Sequence, residues 1–276
     1  MNRTSPSDVK AWCISRGFHP NKTLGQNFLI DRNILSSIVE AVGVAPGAHV
    51  LEVGPGLGVM TEALLEHGVR LTAIEKDPAL AEWLRTDLLP RFPDTFELRE
   101  GDALKADWPT LLAGEGFAAF ASNLPYSVGT RILMDLLCQE RAPDRLVMLL
   151  QQEVAERLAA APGTPERGTA GVWTQLDYDV RIVRLVKPAC FWPPPEVTSA
   201  VVALTRHRRS TLDAAGKARL RALAKHLFTQ RRKQLGTVLR KSPAPFCAIQ
   251  PAAAGIDPTR RAETLTLPEW EALVRN

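Results

Sequence analysis

The sequence predicts an α/β domain with a mostly parallel sheet of seven strands, followed by a small all-helical domain. Apolar runs alternate with amphipathic helical patterns from about residue 30 to residue 190, and this alternation is typical of βαβ units. The strand patterns stop at residue 207, where a basic segment with helical periodicity follows. We therefore expect two domains, comprising residues 1–207 and 208–276.

Seven apolar runs predict the strands of the first domain. The first five alternate with helical patterns and should be parallel. The last two could pair through the proline-rich stretch FWPPPEV as a late antiparallel addition. In the second domain, residues 213–229, residues 231–242 and the final LPEWEALVRN have helical patterns. The predicted strands are residues 49–54, 70–75, 95–102, 117–123, 145–151, 179–188 and 199–207.

The composition is that of a globular protein of 276 residues, 45% of them hydrophobic. No apolar run approaches the ~20 residues of a membrane span, and the first residues lack the apolar region of a secretory signal. Cys13, Cys138, Cys190 and Cys247 are scattered, so we expect buried thiols and neither a metal site nor a disulfide framework. These features predict a cytoplasmic protein without a membrane segment.

Basic residues are concentrated in residues 206–240. The net charge is only +4, but this segment contains the runs RHRRS, KARLRALAK and QRRKQLGTVLRK. A polyanionic partner would bind such a surface, and a solvated helical face has the same composition. The charge pattern alone leaves both interpretations open.

Three glycines, Gly54, Gly56 and Gly58, stand between the first predicted strand and a helical pattern. Glycine permits a tight turn and a close approach of ligand to backbone, although ordinary strand–helix turns also use it. The spacing G-x-G-x-G is more compact than the dinucleotide fingerprint G-x-G-x-x-G, and Glu52 and Pro55 also depart from it. The loop therefore indicates a cofactor without a pyrophosphate group.

Acidic residues end the next two predicted strands. Glu75 lies about 20 residues beyond Gly54, where a carboxylate can accept both ribose hydroxyls. Asp102 ends the third strand, where it could accept from the exocyclic amine of adenine. Each acid alone is more typical of a surface residue or a helix cap. Glycine, acid and acid at three successive strand ends indicate a ligand site, because open α/β sheets bind ligands there.

The fourth predicted strand ends in Asn123-Leu124-Pro125-Tyr126, which alone would be typical of a β-turn. Beside a cofactor, the Asn123 side-chain oxygen and the Leu124 carbonyl can accept from an adenine N6 amine, Pro125 stiffens the turn, and Tyr126 can stack on a base. A cofactor with ribose and adenine but no pyrophosphate then predicts S-adenosylmethionine. Methyl transfer would be an in-line displacement, accelerated mainly by proximity and orientation.

Eight motifs are spread along the chain in this order: KTLGQNFLID (22–31), EVGPGLG (52–58), AIEKD (73–77), GDAL (101–104), NLPY (123–126), QQEVAERL (151–158), FWPPPEVTSAVV (191–202) and QRRK (230–233). As a set they resemble the ribosomal RNA adenine dimethyltransferase family, and within it the small-subunit branch. The resemblance covers roughly residues 20 to 270. It implies a Rossmann-like class I methyltransferase domain and a small helical C-terminal domain.

The resemblance also implies an activity and a partner. The family dimethylates N6 of two adjacent adenines in the 3′-terminal hairpin of 16S rRNA, within the immature 30S ribosomal subunit. We expect the protein to act there as a monomer. The cofactor would be S-adenosylmethionine, with Asn27 and Leu29 lining its pocket, Gly54 near its methionine part, Glu75 on the ribose and Asp102 on the adenine.

Further residues take roles by the same resemblance. Asn123 would touch both cofactor and target amine, and Leu124 would accept through its carbonyl. Tyr126 and Phe191 would sandwich the flipped adenine; without the resemblance, Phe191 would be interpreted as packing in the core or the proline loop. The residues implied in phosphate contacts, which position RNA without reading its sequence, are Lys22, Arg231, Arg232 and Lys233.

Three departures from the family pattern concern RNA docking. ERGTAGVWTQ (166–175) replaces a Tyr-Gly-Arg-Leu-Ser-Val-like run, Glu196 stands where a lysine is usual, and Gly236 and Thr237 stand where an asparagine is typical. All three lie away from the predicted cofactor residues.

Three other functions remain open from the sequence. A 23S rRNA adenine methyltransferase of the antibiotic-resistance (Erm) branch would use the same chemistry on another target. A subunit-assembly binding protein without catalysis would not need Glu75, Asp102 and the Asn-Leu-Pro-Tyr turn. A small-molecule methyltransferase would fit the glycine loop but leave the basic helical domain unexplained.

Overall fold

The computed structural model describes residues 1–20 and 25–275, without the side chains of Glu115, Tyr126 and Ser127. The strands in that part of the chain are β1 (Phe28–Leu29), β2 (His49–Val53), β3 (Arg70–Glu75), β4 (Phe96–Glu100), β5 (Ala119–Ser122), β6 (Arg145–Gln151), β7 (Tyr178–Val186), β8 (Phe191–Trp192) and β9 (Ser199–Arg206). The α-helices are α1 (Pro6–Ser15), α2 (Arg32–Val42), α3 (Val59–Glu66), α4 (Pro78–Asp87), α5 (Trp108–Glu115), α6 (Tyr126–Leu137), α7 (Gln152–Ala159), α8 (Thr169–Gln175), α9 (Ala214–Phe228), α10 (Leu235–Arg240) and α11 (Leu267–Arg275).

A seven-stranded sheet has the order β4-β3-β2-β5-β6-β9-β7. Strands β2 to β6 are parallel to their neighbours, and β9 is antiparallel to β6. Every residue of β2 is buried, as expected for a central strand covered on both faces. The predicted mostly parallel seven-stranded sheet is confirmed. Its strand order reverses between β2 and β5, which is the topological switch point where such sheets bind ligands.

A second, two-stranded sheet was not predicted. Strand β1 pairs antiparallel with β8, with Phe28 opposite Trp192 and Leu29 opposite Phe191. Two residues are too few to show a strand periodicity in a sequence. This pairing joins the GQNFL motif to the FWPPP motif, which are far apart in the chain.

The chain divides into two compact units, Met1–Ala155 with Arg181–Thr205, and Glu156–Val180 with Arg206–Asn276. In the sequence analysis, residues 156–180 belong to the first domain. They lie in the second unit because apolar residues of α8, Val172 among them, pack in one hydrophobic cluster with Leu220 and Trp270. The second unit has the three predicted helical segments, α9, α10 and α11.

Two local expectations are wrong. Cys138, which follows the last turn of α6, and Cys247, which lies in a short 3₁₀ helix, are exposed rather than buried. Helix α10 begins only at Leu235, so Arg231 precedes it in a turn instead of lying on a helix. Across residues 1–20 and 25–275, no helix combines the length and apolarity needed to cross a membrane.

Candidate active site

A cavity with an empty volume of about 1180 Å³, which includes space open to solvent, lies at the carboxyl ends of β2 to β5. Parallel neighbours bring the residues that follow these strands to one edge of the sheet. The sequence-predicted residues that line the cavity are Asn27, Leu29, Gly54, Glu75, Asp102, Asn123, Leu124 and Pro125.

The glycine loop has left-handed backbone geometry at all three of its glycines. The φ angles are 71° at Gly54, 60° at Gly56 and 82° at Gly58, and residues with a Cβ rarely adopt such values. A Cβ on Gly54 would lie 3.3 Å from the Leu124 side chain. The glycines therefore allow the loop after β2 to approach the turn after β5.

The Glu75 carboxylate holds this loop in place. Its Oε2 atom accepts from the Gly56 N–H at 3.0 Å, and its Oε1 atom accepts from the Asp77 N–H at 2.8 Å. Burial raises the pKa of Glu75, and these backbone donors oppose that rise. Because each carboxylate oxygen accepts more than one hydrogen bond, acceptor capacity remains for a ligand.

The Asp102 carboxylate is positioned by Lys76 and by the backbone. The Lys76 Nζ atom lies 2.9 Å from Oδ2, and the Leu104 N–H donates to Oδ1 at 3.0 Å. The hydrogen bond with Lys76 is the main reason that the pKa of Asp102 lies below its ordinary value. Asp102 therefore does cap a short 3₁₀ helix, and it presents a charged acceptor to the cavity as well.

The turn after β5 is tied to the segment that precedes β1. The Asn123 amide donates through Nδ2 to the Asn27 carbonyl at 3.2 Å, and Asn27 donates through its own Nδ2 to the Gly25 carbonyl at 3.1 Å. With its Nδ2 engaged in this way, the Asn123 amide offers Oδ1 as an acceptor. Pro125 is the N-cap of α6, so the chain turns sharply from strand to helix at this point.

The structure does not bring every predicted site residue to the cavity. Phe191 is 3% exposed and packs in the main hydrophobic core, which is the placement expected of a packing residue. The Tyr126 side chain and the whole of Lys22 lie outside the described part of the chain. The turn that contains Arg231, Arg232 and Lys233 belongs to the second unit.

Sequence reasoning missed a buried acid at the cavity. Glu52 is 0% exposed, lines the cavity, and has no hydrogen-bond partner for either carboxylate oxygen within the described residues. The available signal was a charged residue inside the apolar run HVLEVG. Unsatisfied buried acceptors beside a cavity fit a cationic ligand, and the sulfonium of S-adenosylmethionine is one.

The sheet order, the glycine loop and the acids at successive strand ends define a class I methyltransferase. The model of the family described as ribosomal RNA adenine dimethylase matches residues 17–273. The chain belongs to this family.

Among curated relatives, "Ribosomal RNA small subunit methyltransferase A" of Anaeromyxobacter sp. (strain K) is 43% identical over 268 residues, which cover 92% of each chain. Two solved structures are similar along most of their length. A dimethyladenosine transferase from Plasmodium falciparum has a TM-score of 0.75 at 22% identity, covering 89% of this chain and 95% of that one. The 23S rRNA methyltransferase ErmE has a TM-score of 0.69 at 27% identity, covering 90% and 98%.

Proposed function

We propose that this chain is an S-adenosylmethionine-dependent dimethyltransferase that modifies N6 of two adjacent adenines in the 3′-terminal hairpin of 16S rRNA. The immature 30S subunit would be its substrate, the protein would act as a monomer, and its place of action would be the cytoplasm. The observation that carries the proposal is the single cavity that gathers the cofactor residues and the Asn123-Leu124-Pro125 turn. Similarity to the small-subunit methyltransferases supports the choice of rRNA.

The residues around the cavity fit a cofactor with one ribose and one adenine. Glu75 would accept from the ribose hydroxyls, Asp102 from the adenine amine, and Gly54 would lie against the methionine part, with Asn27 and Leu29 completing the pocket. The G-x-G-x-G spacing of the loop from Gly54 to Gly58 differs from the G-x-G-x-x-G fingerprint of pyrophosphate-binding dinucleotide folds. S-adenosylmethionine supplies a methyl group on a positively charged sulfur.

The turn after β5 would orient the nucleophile. The Asn123 Oδ1 atom and the Leu124 carbonyl would accept the two N6 hydrogens of the target adenine, which favours a pyramidal nitrogen with its lone pair directed at the methyl group. Pro125 has no N–H to compete for these acceptors. The target base has to leave its stack first, and Tyr126 and Phe191 are the residues that the family resemblance assigns to its faces.

Positioning would supply most of the rate. A bimolecular displacement becomes effectively intramolecular when both reactants are held in line. The described residues of the turn contribute an amide and carbonyls, and the methylated amine can lose its proton to solvent after transfer. Asn123 therefore needs no proton-accepting function.

The test is to incubate immature 30S subunits, naked 16S rRNA and 23S rRNA with methyl-labelled S-adenosylmethionine and to map N6,N6-dimethyladenine. We expect label at two adjacent adenines of the 16S hairpin. Label confined to 23S rRNA would assign the chain to the activity named for ErmE. Binding of the subunit without label in any RNA would indicate an assembly factor instead.

A further inference from the structure

The buried acid of β2, Glu52, has an environment unlike that of the other acids at the cavity. Glu75 accepts from two backbone N–H groups, and Asp102 is paired with Lys76. Glu52 also lines the cavity, yet neither of its oxygens has a partner within hydrogen-bond distance among the described residues. The Thr61 hydroxyl is near enough to affect its pKa. An ionised carboxylate that is buried without a partner is destabilising, as any unpaired buried ion is.

The cations that line the cavity are engaged elsewhere. Arg3 pairs with Glu62 and Asp87, and Lys76 pairs with Asp102. Around Glu52, β3 contributes Glu75, α3 contributes the Thr61 hydroxyl, and the facing part of β5 is Ala121 and Ser122. The charged residues that line the cavity in the described part of the chain are Arg3, Glu52, Glu75, Lys76, Asp77 and Asp102.

This environment disfavours the ionised form of Glu52. Burial raises the pKa of its carboxyl to about 8, the Thr61 hydroxyl opposes the rise in part, and the neighbouring Glu75 adds to it. At neutral pH the acid is therefore mostly protonated in the protein alone. A cation placed beside it would reverse this preference.

The strand register places Glu52 between Glu75, which is assigned to the cofactor ribose, and Asn123, which is assigned to the target amine. Glu52 is opposite Ala73 on β3 and Ala121 on β5. Glu75 lies two positions beyond Ala73 on β3, so it shares one face of the sheet with Glu52. Asn123 lies two residues beyond Ala121, in the turn that directly follows β5, and lines the same cavity. The sulfur of the cofactor joins the ribose, assigned to Glu75, to the methyl group that faces Asn123. We therefore expect the sulfur to lie near the end of β2, close to Glu52.

We propose that Glu52 recognises the positive charge on the sulfur of S-adenosylmethionine and releases its proton to solvent as that cofactor binds. The inference rests on the proposed function, because it requires this cofactor in the cavity. The product, S-adenosylhomocysteine, has no charge on sulfur, so Glu52 takes up a proton again after methyl transfer. Glu52 thus makes the site favour the methyl donor over the product, which aids cofactor exchange between successive transfers.

Calorimetry on the wild-type protein tests the proton release directly. S-adenosylmethionine and S-adenosylhomocysteine are titrated at pH 7 in buffers of different ionisation enthalpy. We expect release of most of one proton per methyl donor bound, since the pKa of Glu52, about 8, lies above this pH. We expect far less release with S-adenosylhomocysteine. Both ligands have the same ammonium and carboxylate groups, so their difference isolates the charge on sulfur.

Glu52→Gln removes the titrating group while keeping the shape of the side chain. Its affinity for S-adenosylmethionine should fall by about tenfold or more, equivalent to about one pKa unit of interaction. Its affinity for S-adenosylhomocysteine should change by less than about twofold, and the proton release should vanish. Glu66→Gln is the matched control, because it makes the same substitution at an exposed position of α3.

The outcomes separate the inference from the proposed function. Binding of S-adenosylmethionine to the wild type without proton release, or an equal loss of affinity for both ligands in Glu52→Gln, would overturn the role of Glu52. Failure of the wild type to bind either ligand would contradict the proposed function itself. If Glu52→Gln does not fold, the wild-type calorimetry still decides the question.

Discussion

At the scale of single residues, two buried glutamates of the same sheet have different hydrogen-bond environments. Glu75 has backbone donors on both oxygens, whereas Glu52 has none in the described structure. Hydrogen bonds to a carboxylate favour its ionised form, and burial without them favours the neutral acid. In the sequence, Glu52 stands inside the apolar run HVLEVG and Glu75 ends the run RLTAIE, and neither position shows which hydrogen-bond donors the carboxyl will meet.

The raised pKa of Glu52 predicts how stability depends on pH. Between the ordinary pKa of a glutamate and about 8, the folded protein binds more protons than the unfolded chain, so the unfolding free energy falls as pH rises through this range. Over this pH range, Glu52 lowers the free energy of unfolding by at most about 5 kcal/mol. Denaturant titrations without cofactor should show this decline in the wild type and a flatter profile in Glu52→Gln.

Glu75 sets the baseline for that comparison. Its pKa is raised in the same direction, so part of the decline with pH should persist in Glu52→Gln. Parallel profiles for the wild type and the variant would show that Glu52 is already ionised in the folded protein.

Asn123→Ala tests the acceptor at the turn. The substitution removes Oδ1, the proposed acceptor for the target amine, together with the hydrogen bond to the Asn27 carbonyl. The rate of methyl transfer should fall by about 100-fold or more, as for the loss of one oriented polar group in an active site. Single-turnover transfer to 16S rRNA gives the rate, and equilibrium binding gives the affinities for RNA and cofactor.

The matched control for this variant is Asn33→Ala, which removes an exposed amide of α2 that does not line the cavity. It should transfer methyl groups at the wild-type rate. If Asn123→Ala lost RNA binding while keeping its single-turnover rate on saturating RNA, the turn would be a docking element and not part of the reacting centre.

At the scale of elements, the long strands were predictable and the short ones were not. The run 70–75 coincides with β3, and 145–151 coincides with β6, because a buried parallel strand is a continuous apolar run between helical patterns. Strands β1 and β8 have two residues each, and their pairing depends on tertiary contacts. The part of the site that follows the long strands was therefore predictable, and the tie between Asn27 and Asn123 was not.

Gly25→Ala tests the approach of the segment before β1 to the turn after β5. Gly25 has a φ of 61°, and a Cβ there would lie 2.8 Å from the Cβ of Pro125. We expect the added methyl group to displace the turn and to slow methyl transfer, since a misplacement of about 1 Å can cost about 100-fold. Single-turnover kinetics measures the rate of methyl transfer, and thermal unfolding measures any change in stability.

Gly47→Ala is the control for backbone strain. Gly47 also has a positive φ, 83°, but a Cβ there would meet nothing within 4 Å. It should lose about 1 kcal/mol of stability from the left-handed geometry and keep its transfer rate. Equal rates in the two variants would mean that the contact with Pro125 does not position the reacting groups.

At the scale of the whole molecule, the division into two units follows hydrophobic packing more than sequence order. Residues 156–180 precede β9 in the chain but belong to the second unit, because Val172 of α8 and Leu176, which directly follows that helix, pack in its core. In the sequence, a helix that lies between two strands has the same pattern as any other βαβ connection. The unit to which it packs could be known only from the structure.

The second unit gives the three predicted phosphate-binding cations different environments. Arg231 donates through Nη2 to the Thr164 and Pro165 carbonyls, whereas Arg232 and Lys233 are exposed. A guanidinium engaged with backbone carbonyls stabilises the loop that it contacts, whereas an exposed cation can displace counterions from RNA phosphates.

The three cations therefore predict different effects on RNA binding. Arg232→Ala and Lys233→Ala should each weaken binding to 16S rRNA and lower the slope of log K against log salt by about 1. Arg231→Ala should leave that slope nearly unchanged and lower the unfolding free energy instead, because the loop carbonyls lose their donor. Binding isotherms at four salt concentrations and denaturant unfolding of each variant measure both quantities. An equal drop in slope for Arg231→Ala, without loss of stability, would show that its guanidinium leaves the loop to contact phosphate.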